Sequence, residues 1–282
     1  MSPPWDDLDV DGGDGRYTTT ISPAWNLAVV PQGGAIAATA VSAMTAELAE
    51  PSQTLRTLST MFAGQVASGP VEIDVRVLRR GRSMSQLVAD VRNVGGDSGL
   101  TAMAAFGRPR RGFEFTELTM PAAPDPETQP RWRDGVPDGI DFEFERPPMP
   151  FWESIVEGRP AFGRAPWEPF VDGPAETANW YRIDEPPLDA DGRLSALGVV
   201  VVCDTMPGSV SQKVDPAAGR WFAPSVDYTL HLFDRPQPGW LLAHMRARHA
   251  GDGYASVDMA LWDGRHRTLV AYATQVMLFS FA

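Results

Sequence analysis

Cysteine and long apolar runs are almost absent from this sequence. The single cysteine among 282 residues, Cys203, excludes an internal disulfide and fits a reducing compartment. The longest apolar run, residues 197–203, falls far short of the roughly 18 to 20 residues that cross a bilayer. Residues 1–15 hold neither a basic nor an apolar stretch, so we expect no signal peptide. The sequence therefore predicts a cytoplasmic protein without membrane insertion.

Positive charge is also scarce. The chain has 24 Lys and Arg against 36 Asp and Glu, which gives a formal net charge of −12. A negative field of this kind repels phosphate backbones, so we do not expect a nucleic-acid partner. Because salt screens charges beyond about 10 Å, a local basic patch remains compatible with a small anionic ligand. Apolar residues make up 43% of the chain, which is enough for a large core.

Several catalytic signatures are missing. The G-x-S-x-G elbow of α/β-hydrolases and the Walker phosphate loop are both absent. The four histidines lie in the second half without the spacing of metal ligands, so we expect neither a metal nor a cofactor. A dehydratase that uses a histidine in the first half is disfavoured for the same reason. Cys203 ends an apolar run, which is typical of a buried small residue.

Two similar series of elements follow one another along the chain. Residues 35–48 carry small and apolar side chains on every face, which predicts a helix enclosed by other structure. Alternating apolar residues and glycine-rich turns predict an antiparallel meander over residues 55–106. A second enclosed helix is predicted at 194–205. Short strands are predicted at 151–157 and 179–183, and a second meander within 225–279.

The two series also share residues at a few corresponding positions. Gly95 and Leu100 correspond to Gly264 and Leu269, both at an offset of 169. A helix followed by a meander, present twice, predicts an α+β tandem double hotdog, in which antiparallel sheets each wrap around a central helix. We expect four segments: a flexible N-terminal arm at 1–16, a first hotdog domain at 17–120, a Pro- and acid-rich linker at 121–150, and a second hotdog domain at 151–282.

Five short motifs in this order and spacing resemble the type-II acyl-CoA thioesterases (TesB-like, double-hotdog). They are Gln32-Gly33-Gly34-Ala35, Arg79-Arg80-Gly81-Arg82-Ser83, Val202-Cys203-Asp204, Ser225-Val226-Asp227-Tyr228 and Ala273-Thr274-Gln275. The resemblance covers about residues 17–279 and is weakest at 107–180. It implies catalytic roles for Asp204, Ser225 and Gln275. The sequence departs from the familiar members at Tyr228, where they carry a histidine.

The three implied catalytic residues can also be considered on their own chemistry. Asp204 follows an apolar helix, so we expect a buried carboxylate that deprotonates a water; the alternative is a helix-end Asp that reaches solvent. Ser225 is an ordinary strand opener by composition. Gln275 stands where the first repeat has Phe106, and a buried Gln must find hydrogen-bond partners, such as a water or the substrate carbonyl. Only one repeat has all three, so we expect one working site per chain.

Five further residues are candidates for substrate binding. Gly33 and Gly34 either allow tight packing of the helix on the sheet or place a helix N-terminus against the thioester carbonyl, and the second helix offers an equivalent start. Arg79, Arg80 and Arg82 either form a solvated hairpin tip or contact the phosphates of coenzyme A.

These observations predict an acyl-CoA thioesterase that hydrolyses its thioester with a water activated by Asp204, Ser225 and Gln275. The substrate carrier is coenzyme A or a carrier protein. A non-catalytic acyl-thioester-binding hotdog protein and a hotdog hydratase or dehydratase are the alternatives. Because hotdog sheets have open edges, which proteins usually cover or pair, we also expect a homodimer or a higher oligomer.

Overall fold

The computed structural model describes residues 4–140, 147–165 and 167–281. Its α-helices are α1 (Gly33–Leu48), α2 (Pro150–Ser154) and α3 (Ala196–Cys203). The strands of the first half are β1 (Asp11–Gly13), β2 (Arg16–Ile21), β3 (Asn26–Leu27), β4 (Val30–Pro31), β5 (Thr54–Phe62), β6 (Gly69–Arg79), β7 (Met84–Asn93) and β8 (Leu100–Gly107). Those of the second half are β9 (Val156–Phe162), β10 (Glu176–Ile183), β11 (Trp221–Phe222), β12 (Asp227–Leu232), β13 (Leu241–Gly251), β14 (Tyr254–Asp263), β15 (Leu269–Leu278) and β16 (Ser280–Phe281).

Twelve of these strands form one antiparallel sheet. Their order is β1-β2-β6-β7-β8-β5-β12-β15-β14-β13-β10-β9. The two halves of the chain meet at the pair β5 and β12, where Leu58 lies opposite Leu230. Each half thus contributes a meander and one enclosed helix, and the prediction of an α+β tandem double hotdog is confirmed.

Helix α1 is buried along almost its whole length. Alanines and other small side chains cover most of its faces, which lets it pack closely on β6, β7 and β8. Met44 and Leu48 are fully buried at its C-terminal half, and removing either side chain to Ala would cost about 2–5 kcal/mol. The helix ends at Ala49, which adopts a left-handed conformation (φ 48°) and donates its N–H to Thr45 O.

Half of the eight residues of helix α3 are valines, whose side chains lose freedom in a helix and so slightly disfavour it. Burial compensates here, because the residues from Val199 to Cys203 are completely enclosed. Gly198 is required for close packing, since a Cβ there would lie 2.8 Å from Leu194 Cδ1 and 3.1 Å from Ile183 Cδ1. Asp204 follows the helix and lies beside the N-terminus of α1, with which α3 packs.

The N-terminal segment differs from its prediction as a flexible arm. In the described residues 4–16, Pro4–Leu8 forms a 3-10 helix and the chain then enters β1. Trp5 and Leu8 are buried, and the Trp5 ring packs edge-on against Trp25 at 5.0 Å. The prediction was wrong for this part, because two large apolar side chains outweigh the surrounding Asp and Gly. Residues 1–3 lie outside the described residues.

The segment predicted as a strand at 151–157 is instead mostly helical. Pro150 begins α2, where proline fits the first turn without losing a hydrogen bond, and strand β9 starts only at Val156. The described parts of 121–150 contain short 3-10 turns, and Trp180 Nε1 donates to Pro124 O at 2.9 Å. Residues 141–146 lie outside the described residues. None of the helices in the described ranges is long and apolar enough to cross a membrane.

Candidate active site

Asp204, Ser225 and Gln275 lie side by side, although 71 residues separate the first from the last. Asp204 is the residue that follows α3 and caps its C-terminus. Ser225 forms an isolated bridge with Met277 just before β12 begins. Gln275 projects from β15, which pairs with β12. The antiparallel pairing of these two strands therefore brings Ser225 and Gln275 to the end of α3.

The Gln275 amide joins the other two side chains directly. Its Nε2 donates to Asp204 Oδ1 at 2.8 Å and also to Ser225 Oγ. The Ser225 hydroxyl is in turn hydrogen-bonded to the Asp204 carboxylate. Gln275 is only 2% exposed, and its Oε1 has no partner among the residues that the structure describes. A buried acceptor without a donor is costly, so this oxygen is free to bind a water or a substrate group.

Asp204 is a buried carboxyl group with an altered pKa. It is 7% exposed, and burial raises its pKa to about 7. Hydrogen bonds from the Gly34 N–H, Gln275 and Ser225 oppose this rise, because they stabilise the charged form. The N-terminus of α1 has the same effect through its dipole. A carboxyl group that ionises near neutral pH can accept a proton from water at physiological pH. The alternative that Asp204 reaches solvent is wrong.

Gly33 and Gly34 lie directly against Asp204. A Cβ at Gly33 would be 2.7 Å from Asp204 Oδ2 and 2.9 Å from Phe62 Cε1. A Cβ at Gly34 would be 2.9 Å from Asp204 Cβ. Both glycines therefore serve close packing, and Gly34 also presents its N–H to the carboxylate. The first half of the chain thus contributes two glycines to a site whose Asp204 comes from the second half.

Gln32 is a neighbour of Asp204 that the sequence did not identify as a site residue. Its side chain is 1% exposed and contacts both the start of α1 and the end of α3. Nε2 donates to the backbone oxygen of Asp204 at 2.7 Å. The only signal was its place before the two glycines in the first motif. That place alone does not indicate a contact with the end of α3, so the signal is weak.

Tyr228, where the sequence departs from the motif that it resembles, lies beside α3. Its ring is fully buried, and its hydroxyl donates to Val200 O at 3.0 Å. Tyr228 therefore ties β12 to α3 and contributes to the packing beneath Asp204. Burial raises the pKa of Tyr228, which keeps the phenol neutral.

The three arginines of the hairpin lie away from this site. Arg80 donates to Leu48 O at 2.6 Å and to Glu47 O at 3.1 Å, so it caps the C-terminus of α1. The glycines lie at the other end of this helix, which has 16 residues and is about 24 Å long at 1.5 Å per residue. Arg79 and Arg82 are exposed beside Arg80. The structure does not bring these arginines together with Asp204.

No group of three or more His, Cys, Asp and Glu side chains is placed to hold a metal ion anywhere in the described ranges.

Two family models match the chain. An acyl-CoA thioesterase N-terminal domain matches residues 21–107, and an acyl-CoA thioesterase C-terminal domain matches residues 120–279. Among curated proteins, none matches this chain.

Solved structures share the fold over the full length. A hot dog fold protein from Alicyclobacillus acidocaldarius has 24% identity and a TM-score of 0.80, with all of both chains covered. An acyl-CoA thioesterase II, TesB2, from Mycobacterium marinum has 20% identity and a TM-score of 0.75, with 99% of each chain covered. A tesB protein from Mycobacterium avium subspecies paratuberculosis has 19% identity and a TM-score of 0.73, with 98% of this chain and 97% of that chain covered. At these identities the similarity establishes the fold.

Proposed function

The chain belongs to the acyl-CoA thioesterase family, and on this premise we propose that it hydrolyses an acyl-CoA to a free acid and a thiol. One observation carries the proposal. A buried carboxyl group, Asp204, has its pKa raised to about 7 and is joined to Ser225 through the amide of Gln275. A carboxyl group that is half ionised near neutral pH, beside an unpartnered amide oxygen, is suited to bind and activate a water.

In the proposed reaction Asp204 acts as the general base. It accepts one proton from a water whose other hydrogen is held by Gln275 Oε1, and the water oxygen attacks the thioester carbonyl carbon. The tetrahedral intermediate then collapses, the carbon–sulfur bond breaks, and the thiolate leaves. Asp204 returns its proton to the thiolate, so the enzyme is restored and one water is consumed. The reaction needs no covalent intermediate with the protein.

Ser225 and Gln275 keep the base in position during this cycle. Both form hydrogen bonds with the Asp204 carboxylate, which favour its ionised form and limit its rotation. Removing one of them is expected to slow the reaction less than removing the base, because a carboxylate would still be present.

A panel of acyl-CoAs tests this function directly. We expect release of free thiol, measured with a thiol reagent, from at least one acyl chain length. Binding of acyl-CoA without thiol release would instead support a non-catalytic acyl-thioester-binding protein. A change in absorbance on an enoyl-CoA without thiol release would support a hydratase or dehydratase. Parallel assays with acyl-carrier protein substrates would identify the preferred carrier.

We further propose the organisation of the chain and its location. The chain divides into a first hotdog domain at 17–120 and a second at 151–282, joined through 121–150. The single cysteine supports a cytoplasmic location, because it is buried and unpaired. Limited proteolysis, with cleavage sites read by mass spectrometry, tests the division, since cuts should concentrate between the two domains.

A further inference from the structure

Gln32 makes more contacts with the end of α3 than its position as a helix cap requires. Its Oε1 accepts the N–H of Ala35 at 2.9 Å and so caps α1. Its Nε2 donates to Val201 O at 3.1 Å, to Asp204 O at 2.7 Å and to Asp204 Oδ2 at 3.2 Å. One amide therefore holds the first turn of α1, the last turn of α3 and the carboxylate of Asp204.

These contacts supply hydrogen-bond partners at one terminus of each helix. The first N–H groups and the last carbonyl groups of a helix lack partners within the helix, and they are costly when buried. Gln32 supplies an acceptor to α1 and donors to α3 from a single side chain that is almost fully enclosed. The contact joins residues separated by 172 positions, so it links the first half of the chain to the second.

The orientation of Asp204 depends on this link. Asp204 Oδ1 accepts from Gln275 Nε2, while Oδ2 faces Gln32 and Gly33. Both carboxylate oxygens are therefore held, one from β15 and one from the start of α1. Without the donors of Gln32, the backbone oxygens of Val201 and Asp204 each lose a hydrogen bond to the start of α1, and Oδ2 loses a donor.

We propose that Gln32 is a positioning residue, which holds the Asp204 carboxylate at the N-terminus of α1 in the orientation that meets Gln275 and Ser225. This inference rests on the proposed thioester hydrolysis. Gln32 does not act on the substrate itself. It acts through Asp204, by fixing the direction of the carboxylate and by stabilising its charged form.

The pH dependence of the reaction reports on this role. The other titratable groups that face Asp204 are Cys203 and Tyr228, and burial raises the pKa of both, so they stay neutral. Burial and hydrogen bonds from the uncharged groups of Gly34, Gln275 and Ser225 set the pKa of Asp204. A shift in the acidic limb of the rate profile near pH 7 therefore belongs to Asp204.

Two substitutions at Gln32 and one matched control test the proposal. Gln32→Asn keeps an amide that can cap α1 but is one methylene shorter toward α3, and Gln32→Met keeps the volume but removes all polar contacts. Gln53→Met is the control, because Gln53 is 5% exposed and donates to a backbone carbonyl, that of Gly81, beyond the C-terminal end of α1.

We expect both Gln32 variants to fold, and to move the acidic limb of kcat/KM upward by about one pH unit. Turnover at pH 7 should fall about tenfold or more, mainly through kcat, with a smaller loss at pH 9. Gln53→Met should keep the wild-type profile. Carbon-13 titration of the Asp204 carboxyl group, assigned with Asp204→Asn, should show the same upward shift independently of turnover.

The possible results distinguish the proposed thioester hydrolysis from the positioning role of Gln32. A wild-type protein that releases no thiol from any substrate would overturn the proposed function, and the catalytic role of Gln32 with it. If the wild type is active and the Gln32 variants fold with an unchanged pH profile, the positioning role of Gln32 is overturned while the proposed function stands. Failure of both Gln32 variants to fold, with Gln53→Met folded, would also overturn it, because the role would then be purely structural.

Discussion

At the scale of single residues, the burial of Asp204 lowers the stability of the fold but gives its carboxyl group a pKa suited to a general base. Burial raises its pKa to about 7, well above the value near 4 of an exposed carboxyl group. The folded state therefore holds a proton on Asp204 between about pH 4 and pH 7, while the unfolded chain has lost it. Because the native state binds more protons in this window, folding stability decreases as the pH rises through it.

Replacing Asp204 with Asn should remove this pH-dependent cost. The Asn side chain carries no charge, so its burial is equally tolerated at pH 5 and pH 8. We expect the free energy of unfolding of Asp204→Asn to increase relative to wild type as the pH rises from 5 to 8, by up to a few kcal/mol. Urea unfolding at several pH values measures this. A difference between the two proteins that does not change with pH would contradict the pKa shift.

The sequence predicts part of this site and misses part of it. The resemblance to the thioesterases implied Asp204, Ser225 and Gln275. The local sequence supported Gln275, because its counterpart in the first repeat is the aromatic Phe106, and Asp204, because it follows an apolar helix. Gln32 could not be found, because its role depends on contacts with the end of α3, which no local pattern encodes. The pKa of Asp204 likewise depends on burial by distant segments.

At the scale of elements, α1 has different functions at its two ends. Its N-terminus contacts Asp204 through Gly33 and Gly34, and its C-terminus is capped by Arg80. Local sequence predicted this helix well, because small and apolar residues extend over all its faces. It predicted α2 poorly, because the apolar Phe151 and Trp152 fit a strand as well as a helix, and only Pro150 indicates a helix start.

Gly33→Ala should disable the site while leaving most of the fold intact. The added Cβ would lie 2.7 Å from Asp204 Oδ2, which forces the carboxylate or the helix start to move. We expect thiol release to fall by roughly 10² or more, because such a displacement at the base disrupts catalysis. Gly208→Ala is the control, since a Cβ there meets nothing within 4 Å. Equal activity of Gly33→Ala and wild type would contradict the close contact.

Arg80→Ala separates the capping role from a role in binding coenzyme A. Its guanidinium donates to two carbonyl groups at the end of α1, and hydrogen bonds to charged groups contribute about 1.5–3 kcal/mol before solvent exposure reduces them. We expect a loss of about 1 kcal/mol in unfolding free energy and no change in KM for acyl-CoA. Arg82→Ala should change neither. A KM that rises several-fold in Arg80→Ala would instead indicate contact with coenzyme A phosphates.

At the scale of the whole molecule, one sheet runs through both halves and the site spans them. The pair β5 and β12 connects the two meanders, and Gly34 of the first half donates to Asp204 of the second. The repeat at an offset of 169 predicted two units, because equivalent turns and strands carry similar residues. It did not predict how they join, since edge pairing depends on backbone geometry that many sequences satisfy.

The open edges of this sheet lead to a prediction about assembly. Among the strands that the structure describes, β9 pairs only with β10 and β1 only with β2, so both outer edges present backbone groups that no described strand pairs. We expect a homodimer or a higher symmetric oligomer, with at least twice the chain mass of 30.7 kDa in light scattering at micromolar concentration. A mass equal to that of one chain would contradict this prediction.

Thiol release from the preferred acyl-CoA, followed against pH in Asp204→Asn and in wild type, tests the proposed catalytic base most directly. Asp263→Asn is the matched control, because Asp263 is 5% exposed but lies at the end of β14, away from Gln275. We expect the wild-type rate to rise with pH to a plateau, with a midpoint near the pKa of about 7 of Asp204. The plateau rate of Asp204→Asn should be roughly 10²-fold or more below that of wild type, and its rate should no longer follow this midpoint. Gln275→Ala should lose less of the plateau rate. Asp263→Asn should keep the plateau rate and the midpoint of wild type. A folded Asp204→Asn variant with the wild-type rate and pH profile would contradict the assignment of Asp204 as the base.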